Sequence, residues 1–235
     1  MPTLDFSMKR LKLMLGIELS AVSWREKSVS MLGGLVSILL LIFVTERLLK
    51  LTGGAAVIAS MGASAVLLFA VPHGQLSQPW PVLAGHGVSA MIGVASARLF
   101  HSPDLAAAFA VCLSIGAMHH FKCIHPPGGA TALTAVLGGS AIHELGYRFI
   151  LYPVLLNCVL MIGTAVLFNA FFGWRRYPAF LNHRETLPTR HTPSHEEILA
   201  ALRELDTFVD ISEDDLIRLS QILAEKHAVN QPAAR

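Results

Sequence analysis

Residues 125–131 read His125-Pro126-Pro127-Gly128-Gly129-Ala130-Thr131, a run suited to the start of a helix. Proline fits the first helical positions, where its missing N–H is not needed. Glycines strip side chains from the first turn, so a ligand can approach the backbone. Free N–H groups and the helix dipole at such an end favour an anion. The reading therefore assigns anion contacts to the backbone of Gly128, Gly129, Ala130 and Thr131. His125 would orient the ligand, Lys122 would attract anions toward the mouth, and Pro126 and Pro127 would shape the turn. A second patch, Gly62-Ala63-Ser64-Ala65, is narrow and mildly polar, with Ser64 as a further donor. The plain alternatives are a tight interhelical loop for the first motif and close helix packing for the second. The first alternative weakens because the motif lies between apolar runs, where unsatisfied backbone is costly.

The other polar groups within the apolar region are Ser60, Ser89, Ser114, Thr134, Asn157 and histidines. Donors dominate. A cation path through a membrane usually shows intramembrane Asp or Glu, but Asp104 and Glu144 fall in loop-like positions and Glu46 sits beside Arg47. His86, His120 and His125 lie near the motifs, and an unperturbed imidazole titrates near pH 6.5. Anion movement coupled to protons is one hypothesis they raise. Ser64 and His86 also bear a superficial resemblance to the Ser/His pair of a rhomboid protease, which keeps an intramembrane hydrolase as a rival. Nothing else in the chain matches that family, and no catalytic residue is expected. The chain has eleven histidines, and His119, His120, His125 and Cys123 raise a metal site. Adjacent His119 and His120 point to different helix faces, so packing or interface roles fit better. No metal, cofactor or nucleic-acid partner is expected. A sensor or binding protein without transport is the third alternative.

These residues must be positioned by a bilayer-embedded scaffold. Apolar residues make up 53% of the 235 and charged residues 14%, against about 25% charged in an average soluble domain. The mean hydropathy is +0.55. Residues 28–172 hold only eight charges. This composition excludes an ordinary soluble enzyme and a disordered chain. Apolar runs cover 28–49, 53–71, 82–100, 105–122, 128–142 and 147–172. A spanning helix needs about 20 apolar residues. The run at 128–142 is short and reads as a half-helix or re-entrant segment. The expectation is an all-α polytopic membrane protein with about six transmembrane or half-helices. Arg25 and Lys27 precede the first run, and Arg175, Arg176 and Arg184 follow the last, so both termini are expected in the cytoplasm. Arg47 and Lys50 count against that arrangement.

Residues 53–60 (Gly-Gly-Ala-Ala-Val-Ile-Ala-Ser) echo residues 128–135 (Gly-Gly-Ala-Thr-Ala-Leu-Thr-Ala). Each lies in the middle run of a three-run half, which suggests two inverted three-helix repeats. Gly85, Ser89, Gly93 and Ala97 recur every four residues. Such a stripe lets helices approach closely, within the monomer or at the seam of a homo-oligomer. Residues 1–27 form an N-terminal cytoplasmic or interfacial segment, 28–174 the transmembrane domain and 175–193 a linker. Residues 194–235, with capping boxes at Ser194/Glu197 and Ser212/Asp215, form a short cytosolic helical appendage.

Residues 62–69 together with Gln78-Pro79-Trp80, Gly85-His86, Ser89-Ala90 and residues 125–130 resemble the HPP family of integral membrane proteins. The resemblance covers roughly residues 20–175. Some relatives are described as nitrite transporters, so it implies nitrite, a small monovalent anion, as substrate. Asn157 also resembles a recurring position. Family descriptions often count four spans, against six apolar runs here. Longer bacterial relatives carry a CBS-domain pair, whose helical lead-in residues 194–235 resemble. The expected location is a bacterial inner membrane.

Overall fold

A computed structural model describes residues 11, 15, 22–48 and 57–182. The chain divides into a unit of residues 27–188 and a second unit of residues 1–26 with 189–235. All that follows concerns the first unit. Most of the N-terminal segment expected over residues 1–27 and the capping boxes beyond 193 lie outside the described residues, as do residues 53–56 of the repeat echo.

Helices follow the apolar runs closely. Helix α1 (Trp24–Ile42) continues into a π-helical turn (Phe43–Leu48). Helix α2 (Ser60–Ala70) leads through a loop and a 3-10 turn (Gln75–Ser77) into α3 (Pro79–Leu99). Then come α4 (Pro103–His120), α5 (Pro126–Leu137) and the one-turn-and-a-half α6 (Ser140–Leu145). A π-helical turn (Ile150–Leu155) precedes α7 (Leu156–Ala170). Among the described residues there is no strand. Prolines start α3, α4 and α5, each at a position where no N–H is needed. Gly139, at φ 78°, makes the left-handed turn that ends the α5 segment.

Three segments are long and apolar enough to cross a membrane: Trp24–Arg47, Pro79–Leu99 and Ile150–Ala170. The α2 and α5 helices have 11 and 12 residues, so at 1.5 Å per residue they extend only about 16–18 Å. The half-helix expected at 128–142 is therefore present, and the run at 53–71 supplies a second. The two run antiparallel: Ser64 pairs with His125 at the head of α5, whereas Ser60 pairs with Thr131 further along it.

The bundle has an apolar core that encloses a set of buried polar side chains, and its surface is apolar too. Ser60, Ser64, His86, Ser89, Ser114, His125, Thr131 and Asn157 are buried, while Met31, Leu35, Leu39, Val66, Met91, Leu113, Leu133 and Leu167 are exposed. That apolar surface suits a hydrocarbon solvent, which accepts leucine and rejects unpaired donors.

The small-residue stripe is an internal seam. A Cβ on Gly93 would lie 2.7 Å from the Ala132 carbonyl oxygen and the Ala135 Cβ, and one on Gly85 would lie 2.8 Å from the Cys123 oxygen. Helix α3 packs on α4 and α5 through this face.

Arg175, just beyond α7, is buried. Its Nε donates to Asn169 Oδ1 at 3.1 Å, its Nη1 to Ser30 Oγ at 3.2 Å and its Nη2 to the Phe69 carbonyl. One guanidinium thus ties the start of α1, the end of α2 and the end of α7 together. Burial lowers its pKa to about 10, so it stays charged at neutral pH. Ser30 near the start of α1 and Arg175 beyond α7 therefore lie at the same end of the bundle.

Candidate functional site

Ser64 is the hub of a buried polar cluster. Its Oγ lies 2.9 Å from Nε2 of His86 on α3 and 3.0 Å from Nε2 of His125 at the head of α5. Nδ1 of His86 lies 2.7 Å from Oγ1 of Thr131, which is 2.8 Å from Oγ of Ser60. Nδ1 of His125 lies 2.8 Å from the Leu76 carbonyl oxygen. The two rings meet edge to face with centroids 4.8 Å apart.

Local backbone chemistry sets these positions. His125 precedes a proline and is extended, at φ −143° and ψ 100°. That turns its ring back from α5 toward α2. Gly85 makes room for it, because a Cβ there would meet the His125 Cβ at 2.8 Å. The loop carrying Leu76 is pinned by Gln78, whose Nε2 donates to the Pro72 and Gly74 carbonyls and whose Oε1 accepts from the Ala179 N–H. Tyr177 donates to the Ser77 carbonyl at 2.8 Å. Burial pushes the pKa of its phenol up, so it remains a donor.

One fixed end assigns the protons. A carbonyl only accepts, so Nδ1 of His125 carries the proton, and Nε2 of the neutral ring accepts. Ser64 then donates to His125 and accepts from Nε2–H of His86. Nδ1 of His86 accepts from Thr131, whose oxygen accepts from Ser60. The Ser60 and Pro127 carbonyls, each at 3.3 Å, offer the Ser64 and Thr131 hydroxyls second acceptors. The result is a continuous chain of hydroxyl and imidazole groups from Ser60 to the Leu76 carbonyl. Each can receive one proton and pass one on.

Of the residues singled out by sequence, Ser64, His86, His125 and Thr131 come together. Thr131 enters through its hydroxyl rather than its N–H. The backbone cradle is largely occupied. Pro126 and Pro127 have no N–H, and the Gly128 N–H already donates to the His125 carbonyl at 2.8 Å. Gly129, Ala130 and Thr131 lie inside α5, where N–H groups bond to the preceding turn. Gly62, Ala63 and Ala130 are exposed on the outer side of their helices. No atom lies within 4 Å of a Cβ built on Gly62 or Gly129. These positions do not line the cluster, because successive helical residues turn about 100° away from one another. Pro127 is buried, and Pro126 is exposed.

His120 is exposed, with its ring 5.0 Å from that of Phe121. Lys122 is exposed in the turn before α5, with φ 53°. Neither joins the cluster. Asn157 is buried on α7, and both of its carboxamide atoms lack a hydrogen-bond partner. Sequence reasoning noted Ser60 but gave it no role, and it missed the Leu76 carbonyl and the Arg175 anchor. Ser60 stands one helical turn before Ser64, on the same face, and that spacing was available in the sequence. Among the described residues, no group of three His, Cys, Asp or Glu side chains could hold a metal.

The model of the HPP family's transmembrane region matches residues 19–178. The chain belongs to the HPP family. Its HPP domain covers the whole cluster and the Arg175 anchor. The chain is 36% identical over 167 residues to a transmembrane protein of Dictyostelium discoideum, covering 69% of this chain and 52% of that protein. A second Dictyostelium discoideum transmembrane protein is 40% identical over 127 residues, covering 52% of this chain and 44% of the relative. The chain thus spans about half the length of these curated relatives. No solved structure matches. The protein is an all-helical membrane protein of the HPP family.

Proposed function

We propose that this HPP protein moves a small monovalent anion across its membrane, with nitrite as the leading substrate. The observation that carries the reading is the cluster itself. Five buried hydroxyl and imidazole side chains from α2, α3 and the head of α5 form one network. Buried polar groups are costly inside a membrane bundle, and they mark substrate or proton pathways. The described buried polar set of α2, α3 and α5 contains no carboxylate, which suits an anion rather than a metal cation. Nitrite follows from the family resemblance. The same reading places both termini in the cytoplasm and the chain in a bacterial inner membrane.

A hydrolase is the second reading, favoured by the Ser64–His125–Leu76 alignment. The enclosure of Ser64 argues against it: the side chain is fully buried, and both imidazoles are engaged on it. A nucleophile must meet an acyl carbon, and this one meets only its network.

The test is uptake of labelled nitrite by proteoliposomes at neutral pH, compared with protein-free liposomes and with nitrate, chloride and formate. Protein-dependent uptake, strongest for nitrite, is the expected result. Uptake of another anion in preference would replace nitrite. No uptake of any of them would overturn transport and leave a binding or sensing protein.

A further inference from the structure

The Ser64 network has little hydrogen-bonding capacity to spare, because both imidazoles and the Ser64 and Thr131 hydroxyls are matched within the protein. Buried side-chain atoms without a partner lie at Ser89, Ser114 and Asn157, and Asn157 is the one that leaves two of them. Both Nδ2 and Oδ1 are buried without a partner. Leaving a carboxamide unsatisfied inside a protein is expensive, and polar groups within a membrane bundle are functional candidates. Its neighbours, Val154 in the π-helical turn and Cys158 and Met161 on α7, are all buried in one apolar cluster with Val82 and Ala90 of α3. Val82 and Ala90 stand one helical turn to either side of His86. The Cys158 Sγ lies 3.8 Å from the Val82 carbonyl, which sets this part of α7 close to the level of His86. Independently, the membrane segment carrying Asn157 is interrupted. Tyr152, at φ −150° and ψ 115°, breaks it just over one turn earlier, and a π-helical turn surrounds the break. Interrupted helices and π-turns recur where membrane proteins hold their substrates.

The carboxamide also specifies chemistry. It offers one donor face and one acceptor atom side by side. A bare oxyanion satisfies Nδ2 but sets negative charge against Oδ1. A cation does the reverse. A small planar oxyacid of the form HO–X=O satisfies both, its hydroxyl donating to Oδ1 and its second oxygen accepting from Nδ2. We infer that Asn157 is the central substrate contact and that it takes the oxyanion together with a proton, as the neutral acid. The buried ionisable groups of these helices are His86 on α3, His125 at the head of α5 and Cys158 on α7 itself; α2 contributes only the hydroxyls of Ser60 and Ser64. No Asp, Glu, Lys or Arg belongs to the buried set of these four helices. One proton is taken up with each anion on one side and released with it on the other, so no net charge crosses. This inference rests on the transport reading above.

The experiment uses the full chain in proteoliposomes with nitrite as the probe, a clamped membrane potential and a lumenal pH dye. Leak measured in protein-free liposomes is subtracted. The expected result is uptake that ignores the sign of the potential, carries one proton per nitrite and rises with external acidity. Asn157→Leu should lower that uptake about tenfold, close to the loss of one well-made hydrogen bond. It should melt no lower than wild type, because it removes an unpartnered polar group from an apolar cluster. Uptake driven by an inside-positive potential without proton movement would overturn the neutral-acid inference and leave transport intact. Wild-type uptake by a folded Asn157→Leu protein would overturn the site. No uptake by the wild type would remove the transport reading and this inference with it. The wild-type potential and pH measurements decide the neutral-acid claim even where the variant fails to fold.

Discussion

Ser64→Ala and Ser89→Ala delete the same atom from equally buried serines on neighbouring helices, yet they should have very different costs. Ser64 Oγ bonds two imidazole nitrogens at 2.9 and 3.0 Å. Ser89 Oγ has no partner. Removing Ser64 leaves Nε2 of both rings buried and unmatched, at about 1–3 kcal/mol for each orphaned group. Single side-chain bonds in membrane bundles average about 0.6 kcal/mol and reach about 1.7, which pulls the total toward the lower end. The expected loss for Ser64→Ala is about 2–4 kcal/mol. Ser89→Ala loses no bond, and its expected change is within about 0.5 kcal/mol. The assay is reversible unfolding of the purified protein in mixed micelles by titrated denaturing detergent. Equal stabilities for the two variants would refute the network, because only the hydrogen-bond partners distinguish the sites.

Three further outcomes follow from the packing and the anchor. Gly93→Ala places a Cβ 2.7 Å from α5 backbone and should destabilise by about 1–2 kcal/mol despite its better helix propensity; Gly129→Ala, with open space around it, should be neutral or gain up to about 1 kcal/mol in the same unfolding assay. Arg175→Met removes three hydrogen bonds and should lose about 3 kcal/mol or more, read as a lower melting temperature in detergent; Arg175→Lys should recover little, since a single ammonium cannot reproduce the planar fork. A fluorophosphonate probe should leave Ser64 unlabelled when the intact protein is analysed by mass spectrometry, and stoichiometric labelling would favour the hydrolase reading.

The helix inventory was legible because membrane helices announce themselves by length and apolarity. Each run from 28–49 to 147–172 contains a helix, and proline marks the starts of three of them. The stripe at Gly85, Ser89 and Gly93 was legible as close packing, and the structure supplies its partner, α5. The network was legible in its members but not in its connections. Ser64 and Thr131 are 67 positions apart, and no local pattern says that both reach the same imidazole. Gly62 and Ala63 were assigned to the site with Ser64 because an apolar helix has no polar face to reveal its phase. The backbone cradle at Gly128 misled for a related reason. Two prolines remove the donors that an anion would need, and a third residue, His125, takes the Gly128 N–H. Arg175 looked like a topology signal from its position after the last run, but its side chain is buried against acceptors on α1, α2 and α7.

The central claim is that the buried hydroxyl–imidazole network is the working part of a transport path. The direct measurement is the initial rate of labelled-nitrite uptake by wild type, His86→Gln and Thr134→Val in matched proteoliposomes. Thr134 lies outside the network, with its hydroxyl bonded to the Ala130 carbonyl at 2.8 Å. The account predicts that His86→Gln, which cannot link Ser64 to Thr131 as a proton-passing ring, falls at least about tenfold, while Thr134→Val stays close to wild type. Wild-type uptake by a folded His86→Gln protein would contradict it.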